Sequence, residues 1–177
     1  GPVRPGEGLH PDDVVETEGE GSVALVLGDR YRVEVDGNTR FAVKDLTAEL
    51  SRFRLASGLV SASVREDPGR SFEVETGSAV AETRGGDLSI ARAGEVSQVA
   101  VFRGKAVLRS PGGSVSIGPR QQAMVTSTEG PTAPVPIPAS LLLKVDWPAG
   151  TATNEKRLVI TGRTAPGALV ALGGRQV

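Results

Sequence analysis

The sequence has no cysteine, and only one histidine, one tryptophan, one tyrosine and one methionine among its 177 residues. Without cysteine there can be no disulfide and no thiolate-held zinc. The compartment stays open, because oxidising compartments permit disulfides without requiring them. The lone histidine, His10, sits in the turn-rich lead-in GPVRPGEGLHPDD. It reads as a solvent-exposed bystander and not as a general base, and no Ser-His-Asp or Cys-His set can be assembled around it. Aromatic residues make up only 3% of the chain. No apolar run is long enough to span a membrane, and no signal peptide is recognisable. Neither sign of charge is in excess: 20 Lys and Arg face 21 Asp and Glu, for a net charge of -1. Nucleic acid is therefore a poor default partner. The charges are interspersed, the pattern of solvated faces and not of an interaction tail. No catalytic residue, cofactor or metal ligand is assigned, and a non-enzymatic role is expected.

What the chain does have is glycine, 23 residues, and proline, 12 residues. Val, Leu and Ala dominate its apolar part, a composition for short strands joined by turns. Alternation at period two places one set of side chains on one sheet face. Tyr31, Val33 and Val35 alternate with charged residues, then Phe41 and Val43. Between them Asp36-Gly37-Asn38 has the chemistry of a tight hairpin turn. The beat continues with Phe53 and Leu55 before Gly58; Val60, Ala62 and Val64 before Glu66-Asp67-Pro68-Gly69; Phe72 and Val74 before Gly77; Leu88 and Ile90 after Gly85-Gly86; Val99 and Val101 before Gly104; and Val115 and Ile117 before Gly118. Such spacing predicts a sandwich, barrel or solenoid. One segment stays open between two readings. Asp45 could cap a helix over LTAELSRF, or the segment could be a loop leading into a strand at Phe53.

Several motif fragments have bland readings that outweigh functional ones. Gly19 to Ala24 spells G-x-G-x-x-A, but a dinucleotide site needs a helix after it, and strand follows. Gly104-Lys105 lacks the other residues of a phosphate loop, so Lys105 reads as a turn residue. Gly85-Gly86-Asp87-Leu88 has the look of one calcium-binding nonapeptide, but a single copy makes no site, and a β-turn is preferred. Asp12-Asp13 and Glu66-Asp67 could bind a divalent cation, but solvated turns are favoured.

The stretch GPTAPVPIP, Gly130 to Pro138, reads as an extended proline linker and not a core strand. The expected organisation is a lead-in over 1–13, a β-domain over 14–129, a linker over 130–140 and a further β-module over 141–177. In the last, Arg163 and Arg175 are expected to face solvent. Trp147, next to Pro148, reads as a junction aromatic or as a glycan-stacking platform. An unfinished sheet would leave an open edge around Val170 and Leu172, free to pair with another chain or with the protein itself. Gly1-Pro2 has the look of a scar left by tag removal, and the abrupt end after Val177 that of a piece of a longer protein.

The order of these features resembles the FecR family over residues 6–125. Gly8-Leu9, Asp13, Val15 and Thr17 stand near the family's opening, and Ala24 to Asp29 match its first strand. Leu55, Gly58 and Val60 match a central "l-x-x-G-x-v" element. SFEVETGSAVAETRGGDLSI resembles its longest shared stretch, with Gly85-Gly86 where the family has Gly-Thr, and Leu88 at its aromatic position. Gly104 and Gln122 match the closing "V-x-x-G-x-V … G-q". Residues 141–177 resemble the first part of a bacterial Ig-like module, on Trp147-Pro148, Asn154, Ile160, Gly162, Thr164, Pro166, Gly167 and Ala168.

The resemblance implies a domain of the periplasm or cell envelope, without membrane insertion by this segment. It implies an all-β fold of the β-solenoid or split β-helix kind, with a jelly-roll-like β-sandwich as the alternative, followed by a partial Ig-like β-sandwich. The expected function is that of an interaction or scaffold module that contacts envelope proteins. The alternatives are a signal-transducing regulator of a sigma factor that responds to an outer-membrane receptor, and peptidoglycan or glycan binding through Trp147.

Overall fold

The computed structural model describes residues 4, 6–19, 21–77 and 79–138, together with the backbone of 144–146, 161–163, 171–172 and 175–176. The chain divides into two compact units, Gly1–Ile137 and Pro138–Val177. The first holds strands β1 (Val14–Glu16), β2 (Val23–Leu27), β3 (Tyr31–Val35), β4 (Arg40–Leu46), β5 (Leu50–Val64), β6 (Ser71–Thr76), β7 (Ala79–Ala93), β8 (Val96–Ser110), β9 (Gly113–Ile117), β10 (Gln121–Val125) and β11 (Val135–Pro136). They form one 11-stranded sheet. In the second unit, β12 (Lys144–Asp146) pairs with β13 (Thr161–Arg163), and β14 (Ala171–Leu172) with β15 (Arg175–Gln176), both antiparallel. No helix occurs among the described residues, and the fold is all-β.

The sheet is folded over on itself into two arms that share strands. The first half of β5 lies between β4 and β6, whereas its second half lies between β3 and β7. The first half of β7 pairs with β6 and the end of β8, and its second half with β5 and the start of β8. The end of β8 carries β9, and its start carries β10 and then β11. One arm is thus β1-β4-β5-β6-β7-β8-β9 and the other β2-β3-β5-β7-β8-β10-β11. Strand β5 passes between them at one end of the domain, and β7 and β8 at the other. This topology shares features with both expected architectures. The chain wraps around its core as a solenoid does, and β5–β6 is a parallel pair of the rung-stacking kind. The other pairings are antiparallel, as in a sandwich.

The alternating residues of the sequence line the space between the arms. Val33, Val35, Phe41, Val43, Phe53, Leu55, Val74, Ile90, Val99, Leu108 and Ile117 are completely buried. Tyr31 on one arm lies 5.5 Å, ring to ring, from Phe72 on the other, and Phe72, Phe53 and Phe41 continue the aromatic row at 5.3 and 5.1 Å. Burying each phenylalanine is worth roughly 2–3 kcal/mol, so this row ties the arms together.

Four local expectations are corrected. Asp36-Gly37-Asn38 is not a hairpin turn, because β3 and β4 do not pair with each other. It is a corner that carries the chain from one arm to the other, with both strands pairing to β5. LTAELSRF is neither a helix nor a long loop. Strands β4 and β5 form a hairpin there, pairing Leu46 with Ser51, and Thr47 closes it by accepting the Leu50 N–H at 3.0 Å. Phe53 and Leu55 bury because alternation, not helical spacing, governs the segment. Gly58, Gly85-Gly86 and Gly104 do not end strands; they are bends inside β5, β7 and β8. Finally, the proline stretch is extended but not free. Gln122 pairs with Val135, the Thr132 N–H bonds the Met124 carbonyl at 2.8 Å, and the Ile137 N–H bonds that of Arg120 at 2.9 Å. An edge strand needs donors on only one side, so it accommodates proline.

Candidate functional site

At the end where β7 and β8 bend, the backbones meet too closely for side chains. Gly86 pairs with Gly104, and a Cβ on Gly86 would stand 2.1 Å from the carbonyl oxygen of Arg103. A Cβ on Gly104, whose φ is +81°, would stand 2.3 Å from the carbonyl oxygen of Gly85. Two residues of β7, Arg84 and Gly85, bulge opposite one of β8, Lys105. Thr83 stabilises the bulge. Its hydroxyl donates to the Lys105 carbonyl at 2.7 Å and accepts the Gly85 N–H at 3.1 Å. Bulges of this kind re-aim neighbouring side chains.

Beside the bulge lies a cleft of about 970 Å³, lined by Gly85, Gly86 and Gly104, by the β2–β3 turn and by the segment after β5. Arg30, Arg32, Arg65, Arg84, Arg103 and Lys105 line it against two acids, Asp29 and Glu66, an excess of four positive charges in a chain of net charge -1. The nearby acids are shared. Asp29 lies 2.8 Å from Arg65 and 4.0 Å from Arg30, and Asp67 lies 2.7 Å from Arg30 and 3.5 Å from Arg70. Arg84 finds its nearest carboxylate, Glu82, only at 3.9 Å, and Glu82 is already bound by Arg109 and Ser71. The Lys105 ammonium makes no hydrogen bond or ion pair among the described residues.

Two carboxylates at the cleft's margin are held in their charged form. Hydrogen bonds from Arg103 and Ser63 outweigh burial and hold Asp87 below the usual carboxylate range. Burial pushes Glu82 up, but bonds from Ser71 and Arg109 together overcome it and lower this carboxyl as well. Fixed cations and unprotonated acids can bind an opposite charge.

Of the histidine and the acidic pairs singled out in the sequence, only Glu66 lines the cleft. The His10 side chain is 79% exposed, and its backbone N–H bonds Asp13 in a local turn. Asp12 meets Lys44 at 3.4 Å, and Asp67 caps the Gly69 N–H at 3.0 Å, so both acidic pairs serve turns. Among the described residues no three His, Cys, Asp or Glu stand close enough to hold a metal. Lys105 and Gly85-Gly86 do belong to the cleft, but inside continuous strands and not in the expected turns, because the ladder continues through each glycine bend. Trp147 and Val170 lie outside the described residues. Leu172 is described by its backbone alone, which pairs with Arg175. The cleft as a whole is not legible in the sequence, because its cations are scattered from Arg30 to Lys105 and only the fold assembles them.

The model of the family described as FecR protein matches residues 13–107, more than half of the chain. The chain belongs to the FecR family. The match takes in every strand from β1 to β7 and most of β8, so it covers the bends and the cleft. Among solved structures, the FecR domain is similar to two crystal structures of a candidate anti-sigma factor from Parabacteroides distasonis, at 2.50 and 1.65 Å resolution. Each has a TM-score of 0.62 and 20% identity, over 70% of this chain and 59% of the other. The likeness shows a shared fold, and the chain spans about 59% of those proteins' length. No curated protein matches the sequence. No helix among the described residues is long and apolar enough to cross a membrane.

Proposed function

We propose that this FecR domain is the recognition part of a signal-transducing regulator in the bacterial periplasm or cell envelope, acting by protein–protein contact on the control of a sigma factor. The observation that carries the reading is the family match together with the fold it shares with a candidate anti-sigma factor over 70% of the chain. The cationic cleft, lined by Arg84, Arg103 and Lys105, supports recognition of a surface of opposite charge. Deleting residues 13–125 from the full-length protein in its own bacterium, followed by RNA sequencing, tests it. One regulon under one sigma factor should change in a fixed direction. An unchanged transcriptome under inducing and non-inducing conditions would overturn the reading. A scaffold role among envelope proteins is the second reading, favoured by the separate β unit from Pro138 onward.

A further inference from the structure

We propose that the free edge of β2 is a self-association site, where a second copy of this chain pairs its own β2 antiparallel about a two-fold axis, with Val26 beside Ala24 of the other copy. The inference goes beyond the regulator reading and does not depend on it. Three observations carry it.

The first is that this edge lacks protection. Among the sheet's outer strands, β1 has three residues and ends in Glu16, and β11 has two and contains Pro136. Strand β9 presents the polar Ser114 and Ser116. Strand β2 reads VALVL, without charge, proline or bulge. It pairs only with β3 among the described residues, and no N–H from Val23 to Leu27 makes a bond outside that ladder. Folded proteins blunt such an edge unless another strand covers it.

The second is apolar surface left open on both faces of the edge. Outward, Val26 is 61% exposed. Inward, Val23 and Leu27 pack against the core yet stay only partly buried. Successive residues of a strand point to opposite faces, so one added strand covers both sets at once.

The third observation selects the occupant. Strand β2 is apolar read in either direction from Leu25. In an antiparallel pair centred there, Val23 meets Leu27 and Ala24 meets Val26, each residue on the same face as its match. Behind the edge, Arg32 of β3 stands opposite Val26, and Glu34 opposite Ala24. Each outward row across the two copies therefore starts at Arg32 and ends at Glu34, and the axis supplies this row twice. Opposite charges directly across a sheet are tolerated, and like charges are not. Arg32 and Glu34 also meet each other at 3.0 Å within one copy, and that exposed pair persists in the dimer. A strand of another protein has no such built-in match. The pairing uses up the free edge of β2 in both copies, so association through it stops at two.

Sedimentation velocity of the 177-residue chain over a concentration series tests this. The mass should rise with concentration from 18.3 kDa toward twice that value. Val26→Glu and Ala24→Lys should each raise the dissociation constant about tenfold. Each adds a charge opposite its counter-charge on β3 of the same copy, so the fold is kept. Each also repeats the sign already standing at the far end of its row, so pairing is weakened. The double variant Ala24→Lys/Val26→Glu should restore the dimer, because the new lysine of one copy stands beside the new glutamate of the other in both rows. Val14→Glu, on the edge of β1, should leave the series unchanged. Val26→Ser reads the same weakening if a charged variant melts early. A chain that stays at 18.3 kDa at about 1 mM would overturn the proposal. So would a dimer indifferent to Val26→Glu, or one lost in Val14→Glu instead. A double variant that associates no better than the single ones would overturn it as well, since only the stated register brings residues 24 and 26 together.

Discussion

Thr39 and Gly58 lock the other end of the domain, where β5 bends. The Thr39 hydroxyl accepts the N–H of Leu59 at 3.0 Å and lies 3.3 Å from that residue's carbonyl. Gly58 has a φ of +99°, and a Cβ there would stand 2.1 Å from the Thr39 hydroxyl and 2.6 Å from its Cα. Space and backbone conformation both demand glycine. Gly58→Ala should cost about 3 kcal/mol, from left-handed strain plus a clash with backbone. Thr39→Ala should cost about 1–2 kcal/mol, because it leaves a part-buried N–H unpaired. Urea denaturation followed by circular dichroism checks both, and a neutral Gly58→Ala would show that the bend is not tight.

The aromatic row gives a second expectation. Phe72 touches both Tyr31 and Phe53, on opposite arms. Phe72→Ala should cost about 3–5 kcal/mol, whereas Phe72→Leu should cost about 1–1.5 kcal/mol. A calorimetric melt separates the two. Similar losses would mean that the ring's shape, and not its burial, holds the arms.

Stability should also depend on acid. Glu82 and Asp87 both have folded-state pKa values below their ordinary values of 4.5 and 3.8. For a depressed carboxylate the folded state binds fewer protons than the unfolded chain. The contribution is therefore present above the unfolded value and is lost as pH falls through the folded one. The urea midpoint should hold steady down to the ordinary carboxylate range and decline below it. Glu82→Gln and Asp87→Asn should each flatten that decline. An unchanged slope in both variants would place the acid sensitivity elsewhere.

The proline stretch supplies a fourth test. A chain ending at Pro138 should keep the melting behaviour of the first unit. A chain ending at Glu129 loses β11 and the bonds from Thr132 and Ile137. It should be less stable by about 2 kcal/mol, the sum of a few backbone bonds. Equal midpoints would return the stretch to the role of a spacer.

How much of this is legible in the sequence depends on the range of the forces involved. The inward face is legible residue by residue: Val33, Phe53 and Ile90 were readable as core because alternation is local, and all three are completely buried. The resemblance to the FecR family is legible for a similar reason, since it rests on the order of glycines and apolar residues. The continuity of β5, β7 and β8 is not. A glycine between two alternating runs looks like a turn whether the chain reverses or merely bends. Only the approach of another backbone, as at Gly86 and Gly104, tells the cases apart. The cleft was hidden for the same reason. Arg84 and Lys105 look like ordinary surface charges until the bulge held by Thr83 brings them together.

The three shared strands have a last consequence, for the fidelity of folding. A strand that slips by one residue turns its apolar side chains outward. In a sandwich of separate sheets such an error stays in one layer. Here a slip of β5, β7 or β8 would be carried through the bend into the second arm and would expose both halves of the core together. Each misregistered pairing is thus penalised twice. The glycine bends, which admit no other residue at the crossing points, act as index marks that hold the two arms in one common frame.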